Sequence, residues 1–174
     1  MGKSSKEQRA KDERTVLAEL QKNSNESIDT IAKHCGFSRQ KVWRIIKHLE
    51  DNKIIWGYTA VVDEEGTSLK HFVLLAKRNM VSLDASYKKE VILEKIDDYL
   101  PGLVRIEDIF FTHGSFDVVF TFYSPDIISS KKFVQEIYKR IGKYLGEYLL
   151  LETVFPIRKK GLKNPQIKQL VNYL

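Results

Sequence analysis

A glycine turn between two short helical segments is the feature that most constrains this chain. Gly36 is the residue type that most easily ends a helix in the left-handed conformation, and Ser38 is a good N-cap for a new helix over residues 38–52. The apolar residues of the new helix form one stripe, because they follow the i, i+3, i+4, i+7 spacing. They are Val42, Ile45, Ile46 and Leu49. Such a helix has to pack on a neighbour, and the short turn makes the preceding helix that neighbour.

Two further helical segments precede the third helix. Residues 7–21 carry Val16, Leu17 and Leu20 on one face, and Ser27 is a suitable N-cap for a short second helix. The inward positions of that second helix are Ile28, Ile31, Ala32 and Cys35. Three short helices with facing stripes and a tight glycine turn predict a helix-turn-helix domain.

The outer surface of the third helix is basic. From position 33 to position 48 the sequence has five Lys or Arg residues and no acidic residue. Arg and Gln match the edges of guanine and adenine, whereas cations neutralise phosphates, so the pattern predicts a helix in the major groove of DNA. The residues expected to contact bases are Ser38, Arg39, Gln40 and Trp43. The rest of the predicted DNA-binding surface is Lys41, Arg44 and Lys47, the last two on phosphates. A solvated helix face is the alternative.

After the third helix the residue pattern becomes that of a mixed α+β domain. Strands are expected at residues 71–78, 104–112, 116–123 and 148–157. Helices are expected at residues 87–100 and from Pro125 to Leu145, with His113-Gly114-Ser115 as a hairpin turn. The order β-α-β-β-α-β is the split, ferredoxin-like arrangement. The predicted fold class is therefore α+β, with an N-terminal, winged helix-turn-helix domain linked to a C-terminal ferredoxin-like domain.

Four segments follow from these patterns. They are a helix-turn-helix domain at 1–53, an extended linker at 54–69, a ferredoxin-like domain at 70–157, and a basic tail with a short amphipathic helix at 158–174. In the linker, Trp56 and Tyr58 flank Gly57 and are expected to pack at the hinge, with a wing that touches DNA as the alternative. The basic residues of the tail either contact phosphates or form a solvated connector. They are Arg158, Lys159, Lys160 and Lys163.

The last predicted strand is apolar on both of its faces. Tyr148, Leu150 and Val154 alternate with a second apolar set, and two helices cover only one side of a four-stranded antiparallel sheet. The second set is Leu149, Leu151 and Phe155. A large apolar patch is rare on a soluble monomer, and pairing two sheets across a two-fold axis removes it. The sequence therefore predicts a homodimer through the C-terminal domain, with tetramers or larger assemblies of dimers as a further option.

Composition and charge exclude several classes of function. The 174 residues carry a net charge of +6, with the excess of Lys and Arg at the two ends of the chain. One cysteine and four scattered His residues give no metal-ligand spacing, so we expect no metal and no cofactor. We see no leader peptide and no apolar run long enough for a membrane span, and therefore expect a cytoplasmic protein without a membrane partner.

The segment 36–63 resembles the helix-turn-helix and linker of the Lrp/AsnC family of transcription regulators. It reads GFSRQKVWRIIKHLEDNKIIWGYTAVVD. The positions that match the family pattern are Gly36, Phe37, Ser38, Val42, Leu49, Glu50, Ile55, Gly57, Tyr58 and Ala60. The C-terminal half resembles the effector-binding module of the same family, whose Gly-x-x-Asp signature corresponds to Gly114 and Asp117. The resemblance spans about residues 12–157 and implies a regulator that binds double-stranded DNA and responds to an amino acid.

The resemblance also implies an effector site. The sequence departs from the family pattern at two places. The implied site is Thr112, His113, Gly114 and Asp117, for which a hairpin with a glycine at its positive-φ position is the alternative. Family members usually have consecutive arginines in the recognition helix, whereas here Ile45 follows Arg44, so the base preference is not inherited. The tail after Ile157 has no counterpart in the family pattern.

Two rival functions remain open at the level of sequence. Some proteins that resemble this family are siroheme decarboxylases, and an enzyme of that kind would use His113 and Arg105 in a pocket between the domains. Against it, no paired titratable residues cluster in the sequence. The other rival is an amino acid sensor that has lost DNA binding, against which the basic third helix speaks.

Overall fold

The computed structural model describes residues 2–63, 65–80 and 102–174. The chain divides into two compact units. We call the first unit, Met1–Val61 with Ile157–Ile167, the head. We call the second, Val62–Pro156 with Lys168–Leu174, the sheet unit.

Three helices build the head: α1 (Gly2–Lys22), α2 (Ile28–Cys35) and α3 (Arg39–Asp51). The buried core between them consists of Val16, Leu20, Ile31, Ala32 and Val42, and Leu49 is also buried. Ile45 and Ile46 are half-buried against the same core, so the stripe predicted for the third helix is the packing surface of α3.

The caps expected from the sequence are present around the turn. Ser27 Oγ accepts a hydrogen bond from the Thr30 N–H at 3.1 Å, and Ser38 Oγ accepts one from the Lys41 N–H at 3.3 Å. Gly36 has φ +67°, the left-handed conformation that ends α2. The helix-turn-helix prediction is therefore confirmed in its local details.

The sheet unit contains a four-stranded antiparallel sheet with one described helix. The strands are β1 (Lys70–Arg78), β2 (Arg105–Phe111), β3 (Val118–Ser124) and β4 (Leu145–Glu152), in the order β2-β3-β1-β4. Helix α4 (Ile127–Ile141) connects β3 to β4, and a 3₁₀ turn at Glu65–Thr67 precedes β1. The α+β class and the strand order expected of a split arrangement are confirmed. The helix predicted at residues 87–100 lies outside the described residues.

One face of the sheet packs on α4 and forms the core of this unit. Phe72, Phe122 and Phe133 are fully buried, with the Phe122 and Phe133 rings 4.6 Å apart between centroids. The other inward side chains are Leu74, Ala76, Val104, Val118, Phe120, Val134, Ile137 and Leu145. An alternating pattern with one buried face explains why the register of these strands is well defined.

The region after Pro125 differs from its prediction. Asp126 is the N-cap of α4, its Oδ1 accepting from the Ser129 N–H at 2.6 Å. The helix ends at Ile141, and Leu145, expected on the helix, begins β4 instead. The physical reason is Gly142, where a Cβ would lie 2.2 Å from the Tyr138 carbonyl oxygen, so the chain turns as closely as only glycine permits. Strand β4 then starts earlier and ends earlier than the predicted strand 148–157.

The tail is a hairpin followed by a 3₁₀ helix. Strands β5 (Arg158–Lys159) and β6 (Leu162–Lys163) pair as a two-stranded ribbon. The predicted amphipathic α-helix is instead a 3₁₀ helix over Ile167–Tyr173, with the Tyr173 ring 5.3 Å from that of Phe155. A helix this short is only marginally stable without tertiary contacts. Its hydrogen bonds therefore take the 3₁₀ pattern that the contact between Tyr173 and Phe155 allows.

Candidate nucleic-acid interface

Helix α3 presents a polar and aromatic stripe on the side opposite its packing surface. The stripe repeats at i, i+3, i+4 and i+7 and is displaced from the buried one. Its residues are Gln40, Trp43, Arg44 and Lys47, all exposed, with Trp43 at 54%. Ser38 and Arg39 at the start of α3 are exposed as well. The structure thus brings six of the seven residues predicted to contact DNA to the outside of one helix.

Two cations of this surface form ion pairs that water can reach. Arg39 Nη1 is 3.4 Å from Asp29 Oδ2, and Lys47 Nζ is 3.5 Å from Asp51 Oδ1. The side chains of both pairs are more than half exposed. Exposed pairs of this kind contribute little free energy, so either cation can exchange its carboxylate for a phosphate at small cost.

Lys41 occupies a different position from the other six. Its ammonium is 2.6 Å from Asp12 Oδ2 on α1 and 3.8 Å from the centroid of the Phe37 ring. The hydrogen bond from Lys41 is the main reason that the pKa of Asp12 is lowered from its ordinary value. Two turns further along the same flank of α3, His48 Nε2 is 3.6 Å from Glu13 Oε1. This flank of α3 therefore faces α1, and Lys41 fastens the two helices together.

Arg44 and Gln40 are the freest polar groups of the stripe. Within the described residues, neither side chain makes a hydrogen bond or an ion pair. The sequence has five basic and no acidic residues at positions 33–48, but in the folded head fewer of these positive charges are unpaired. The acidic partners Asp12 and Asp29 are distant in sequence from the cations they meet, and no local pattern reveals them.

The segment after α3 departs from its predicted packing. Tyr58 Oη donates to Glu50 Oε1 at 3.1 Å, which ties the exit of α3 back to the helix. Trp56, expected to pack at the hinge, is 94% exposed. Residues 52–63 form no β-strand, and the extended linker expected at 54–69 stays a prediction.

Cys35 behaves as a packing residue in the turn. Its Sγ donates to the Thr15 carbonyl oxygen at 3.9 Å, and burial raises the pKa of the thiol. A thiol with a raised pKa is protonated and poorly nucleophilic at neutral pH.

The loop between β2 and β3 holds the residues predicted for an effector. Gly114 has φ +150°, a backbone conformation that favours glycine, and His113 is exposed. Thr112 Oγ1 donates to the Phe116 carbonyl at 2.7 Å. Asp117 Oδ2 accepts from the Arg78 N–H at 2.8 Å, so the carboxylate fastens the loop to the end of β1. These contacts support the hairpin alternative for Gly114 and Asp117, and the effector assignment stays a prediction.

Of the pair considered for an enzyme, Arg105 begins β2 and His113 lies in the loop after its last residue, Phe111. At about 3.3 Å per strand residue, β2 alone separates Arg105 from Phe111 by roughly 20 Å. Arg105 instead stacks its guanidinium 4.7 Å from the Tyr123 ring centroid. Burial, followed by the charge of Glu107, raises the pKa of Tyr123 to about 12. The described residues therefore do not bring the two proposed enzymatic groups together.

The face of the sheet opposite α4 carries an apolar row across all four strands. Ladder partners place Phe110, Val119, Leu75 and Leu149 side by side. Leu151 lies in the next row, beside Val73. Phe110, Leu149 and Leu151 are 50%, 46% and 48% exposed, whereas the other three side chains are half-buried. This surface is the apolar patch that the sequence predicts for the C-terminal sheet.

The described residues lack two other kinds of functional feature. They contain no group of three or more His, Cys, Asp or Glu side chains that could hold a metal ion. None of their helices is both long and apolar enough to cross a membrane.

The head matches a known family model. The model, described as winged helix-turn-helix DNA-binding, matches residues 13–55, which includes all of α2 and α3. A curated relative, an uncharacterised HTH-type transcriptional regulator of Bacillus subtilis, is 23% identical over 124 residues. The match covers 71% of this chain and 72% of that protein.

Solved structures share the fold over most of the chain. An AsnC family transcriptional regulator from Agrobacterium tumefaciens has a TM-score of 0.65 at 20% identity, covering 94% of this chain and 97% of that one. The leucine response regulatory protein of Mycobacterium tuberculosis has a TM-score of 0.65 at 17% identity, covering 88% and 98%. A transcriptional regulator from Neisseria meningitidis, solved as a complex with L-Met, has a TM-score of 0.65 at 15% identity, covering 90% and 97%.

Proposed function

We propose that this chain, which has the fold of the AsnC and Lrp transcription regulators, is a sequence-specific DNA-binding regulator. The observation that carries the proposal is the exposed stripe of α3, since it lies in the segment that matches the winged helix-turn-helix DNA-binding model. A protein of this function acts where the chromosome lies, and we therefore propose a cytoplasmic location.

The start of α3 reads base edges in this proposal. Arg39 and Gln40 have the donors and acceptors that distinguish guanine and adenine, and the N-terminal turn of a recognition helix reaches deepest into the major groove. Ser38 caps this turn, and the exposed Trp43 ring offers an apolar contact for a thymine methyl group.

Phosphate binding falls to the second half of the stripe. Arg44 is available without breaking any contact among the described residues, and Lys47 has only a solvated ion pair to exchange. Lys41 acts through positioning, because its ammonium already binds Asp12. We propose that Lys41 sets the angle between α3 and α1 and reaches DNA only at the edge of the interface.

The regulator is a dimer in this proposal. The apolar row from Phe110 to Leu149 is covered by the same row of a second copy, a self-complementary contact of two-fold symmetry. Two heads then read two half-sites, and larger assemblies of dimers use other surfaces.

An amino acid is the proposed effector, since a relative of the same fold is described as a complex with L-Met. The loop of Thr112, His113, Gly114 and Asp117 is the proposed contact region. Because Asp117 binds the end of β1, a ligand that moves the loop also acts on the sheet. Its effect on DNA affinity would then be a coupling free energy between two separate sites.

The central experiment is selection of bound fragments from random duplex DNA, repeated with each of the amino acids. We expect enrichment of a sequence with two-fold symmetry and a change in yield with at least one amino acid. A pool without any enriched sequence refutes sequence-specific regulation. Haem-like absorbance of the purified protein, without salt-sensitive DNA binding, would favour the siroheme decarboxylase alternative.

The assignment of phosphate contacts has its own test. Log affinity falls with log salt by about 0.9 per neutralised phosphate, so the Arg44→Ala/Lys47→Ala variant of a dimer should lower the slope by about 3.6. The control Lys131→Ala/Lys132→Ala removes the same charge from exposed positions on α4 and should leave the slope unchanged. Equal slopes for the wild type and the α3 variant contradict the assignment. Arg39→Ala and Gln40→Ala should instead relax the base preference.

A further inference from the structure

We propose that the basic hairpin of the tail, residues 157–164, is a second DNA-binding element of the head that holds the phosphate backbone beside α3. The inference rests on the proposed function and adds a contact surface that the helix-turn-helix segment does not include. The hairpin would take the role that a wing has in other winged heads.

The hairpin is a compact ribbon with a two-residue turn. Arg158 pairs with Lys163 and Lys159 pairs with Leu162, and the Asn164 N–H donates to the Ile157 carbonyl at 3.0 Å. Both turn residues have positive φ, +46° at Lys160 and +85° at Gly161, as the favoured hairpin turns require. A two-stranded ribbon has the width that enters a groove of duplex DNA.

The hairpin brings like charges close together. Arg158 and Lys163 are exposed and directly opposite each other in the ladder, a destabilising relation between like charges, although Arg158 Nη1 also donates to the Gly161 carbonyl oxygen at 3.0 Å. Lys160 adds a third cation at a positive-φ position that Asn or Gly fills with less strain. The chain has no acidic residue from position 158 to its end. A polyanion relieves this repulsion, which is the reason to expect phosphate as the partner.

The position of the hairpin in the chain supports the same partner. Residues Ile157–Ile167 belong to the same compact unit as α1, α2 and α3, although they follow the sheet unit in sequence. After α3, where a winged head would have its ribbon, residues 52–63 form no strand. Among the described residues of the head, the two-stranded ribbon is the one formed by the tail.

Hydrogen bonds close the open end of the hairpin. The Asn164 N–H donates to the Ile157 carbonyl oxygen, and Asn164 Oδ1 accepts from the Gln166 N–H at 2.7 Å. A cationic ribbon closed in this way loses less conformational entropy on binding than a free tail does.

The test uses the full-length protein and a fluorescein-labelled duplex of random sequence, with anisotropy measured over a range of salt. Arg158→Gln/Lys160→Gln/Lys163→Gln should lower the salt slope by about 2.7 per protomer, from about 0.9 for each phosphate. The control Lys131→Gln/Lys132→Gln/Lys168→Gln removes the same charge elsewhere and should leave the slope unchanged.

Lys160→Asn separates charge from folding, because Asn suits the turn better than Lys. It should keep or raise thermal stability and still lower the slope by about 0.9 per protomer. The inference is overturned if both hairpin variants keep the wild-type salt slope, or if the control variant loses as much of the slope as they do. Either outcome leaves DNA binding by α3 intact. Absence of salt-dependent binding by the wild type overturns the proposed function and the inference together.

Discussion

The apolar row on the open face of the sheet makes a quantitative prediction about assembly. Leu149 and Leu151 each leave nearly half of their surface exposed in a single chain. Full burial of a leucine side chain contributes about 1.5–3 kcal/mol, so covering the exposed half contributes roughly 1 kcal/mol. Because the interface is two-fold symmetric, each protomer contributes its own Leu149 and Leu151, and the stabilisation is counted once for each protomer. Leu149→Ala/Leu151→Ala should therefore weaken the dimer by roughly 4 kcal/mol, a loss of between a hundredfold and a thousandfold in affinity.

Sedimentation equilibrium over a range of protein concentrations measures this change directly. The matched control is Ile127→Ala/Ile128→Ala, which truncates two exposed aliphatic side chains on α4, away from the row. The control should dimerise as the wild type does, and far-ultraviolet circular dichroism should show that both variants are folded. A wild type that is monomeric at every concentration, or a control that dissociates as readily as the Leu variant, would refute the proposed interface.

Three further predictions concern the fold of the described units. Gly36→Ala should destabilise the head by about 1–2 kcal/mol in denaturant titrations, because alanine tolerates φ +67° poorly. Gly36→Asn should destabilise it less. Equal losses of stability in the two variants would show that the left-handed conformation at Gly36 is not what makes glycine necessary there. Ser38→Ala should cost about 1 kcal/mol through loss of the cap, and wild-type stability would show that the cap is dispensable. Tyr123 and Tyr138 have pKa values raised to about 12, chiefly by burial. Their contribution to stability should be complete below pH 10 and lost from pH 10 to 12, whereas ordinary phenolate absorbance changes near pH 10 for both would contradict this.

The parts of the fold that depend on neighbours in sequence were predictable. The stripe of α3, its Ser38 cap and the Gly36 turn are fixed by residues a few positions apart, and periodicity detects such relations. Ile45 is an example: its spacing predicts that it belongs to the apolar stripe, and it is half-buried against the core of the head.

The parts that depend on distant residues were not predictable. Lys41 was assigned to DNA from its position on a basic helix, but its partner Asp12 lies on another helix. Leu145 fits the helical spacing of the apolar residues before it and was therefore predicted to lie on the helix. The helix ends earlier because the backbone at Gly142 lies so near the Tyr138 carbonyl oxygen that a Cβ would not fit, and the sequence does not show this. The tail hairpin had a local signal in Lys160-Gly161, yet a ribbon with two-residue strands is too short for an alternating pattern to identify.

The ion pair between Lys41 and Asp12 has a consequence for how the protein searches a genome. Affinity for random DNA depends on the number of phosphates held, so a helix with one of its cations already paired to Asp12 has a weaker hold on any sequence. A weaker hold means faster departure from wrong sites, and therefore more sites sampled per unit time. In the proposed dimer, residence at the correct site then depends on base contacts and on the simultaneous engagement of two heads, which makes occupancy sensitive to protein concentration.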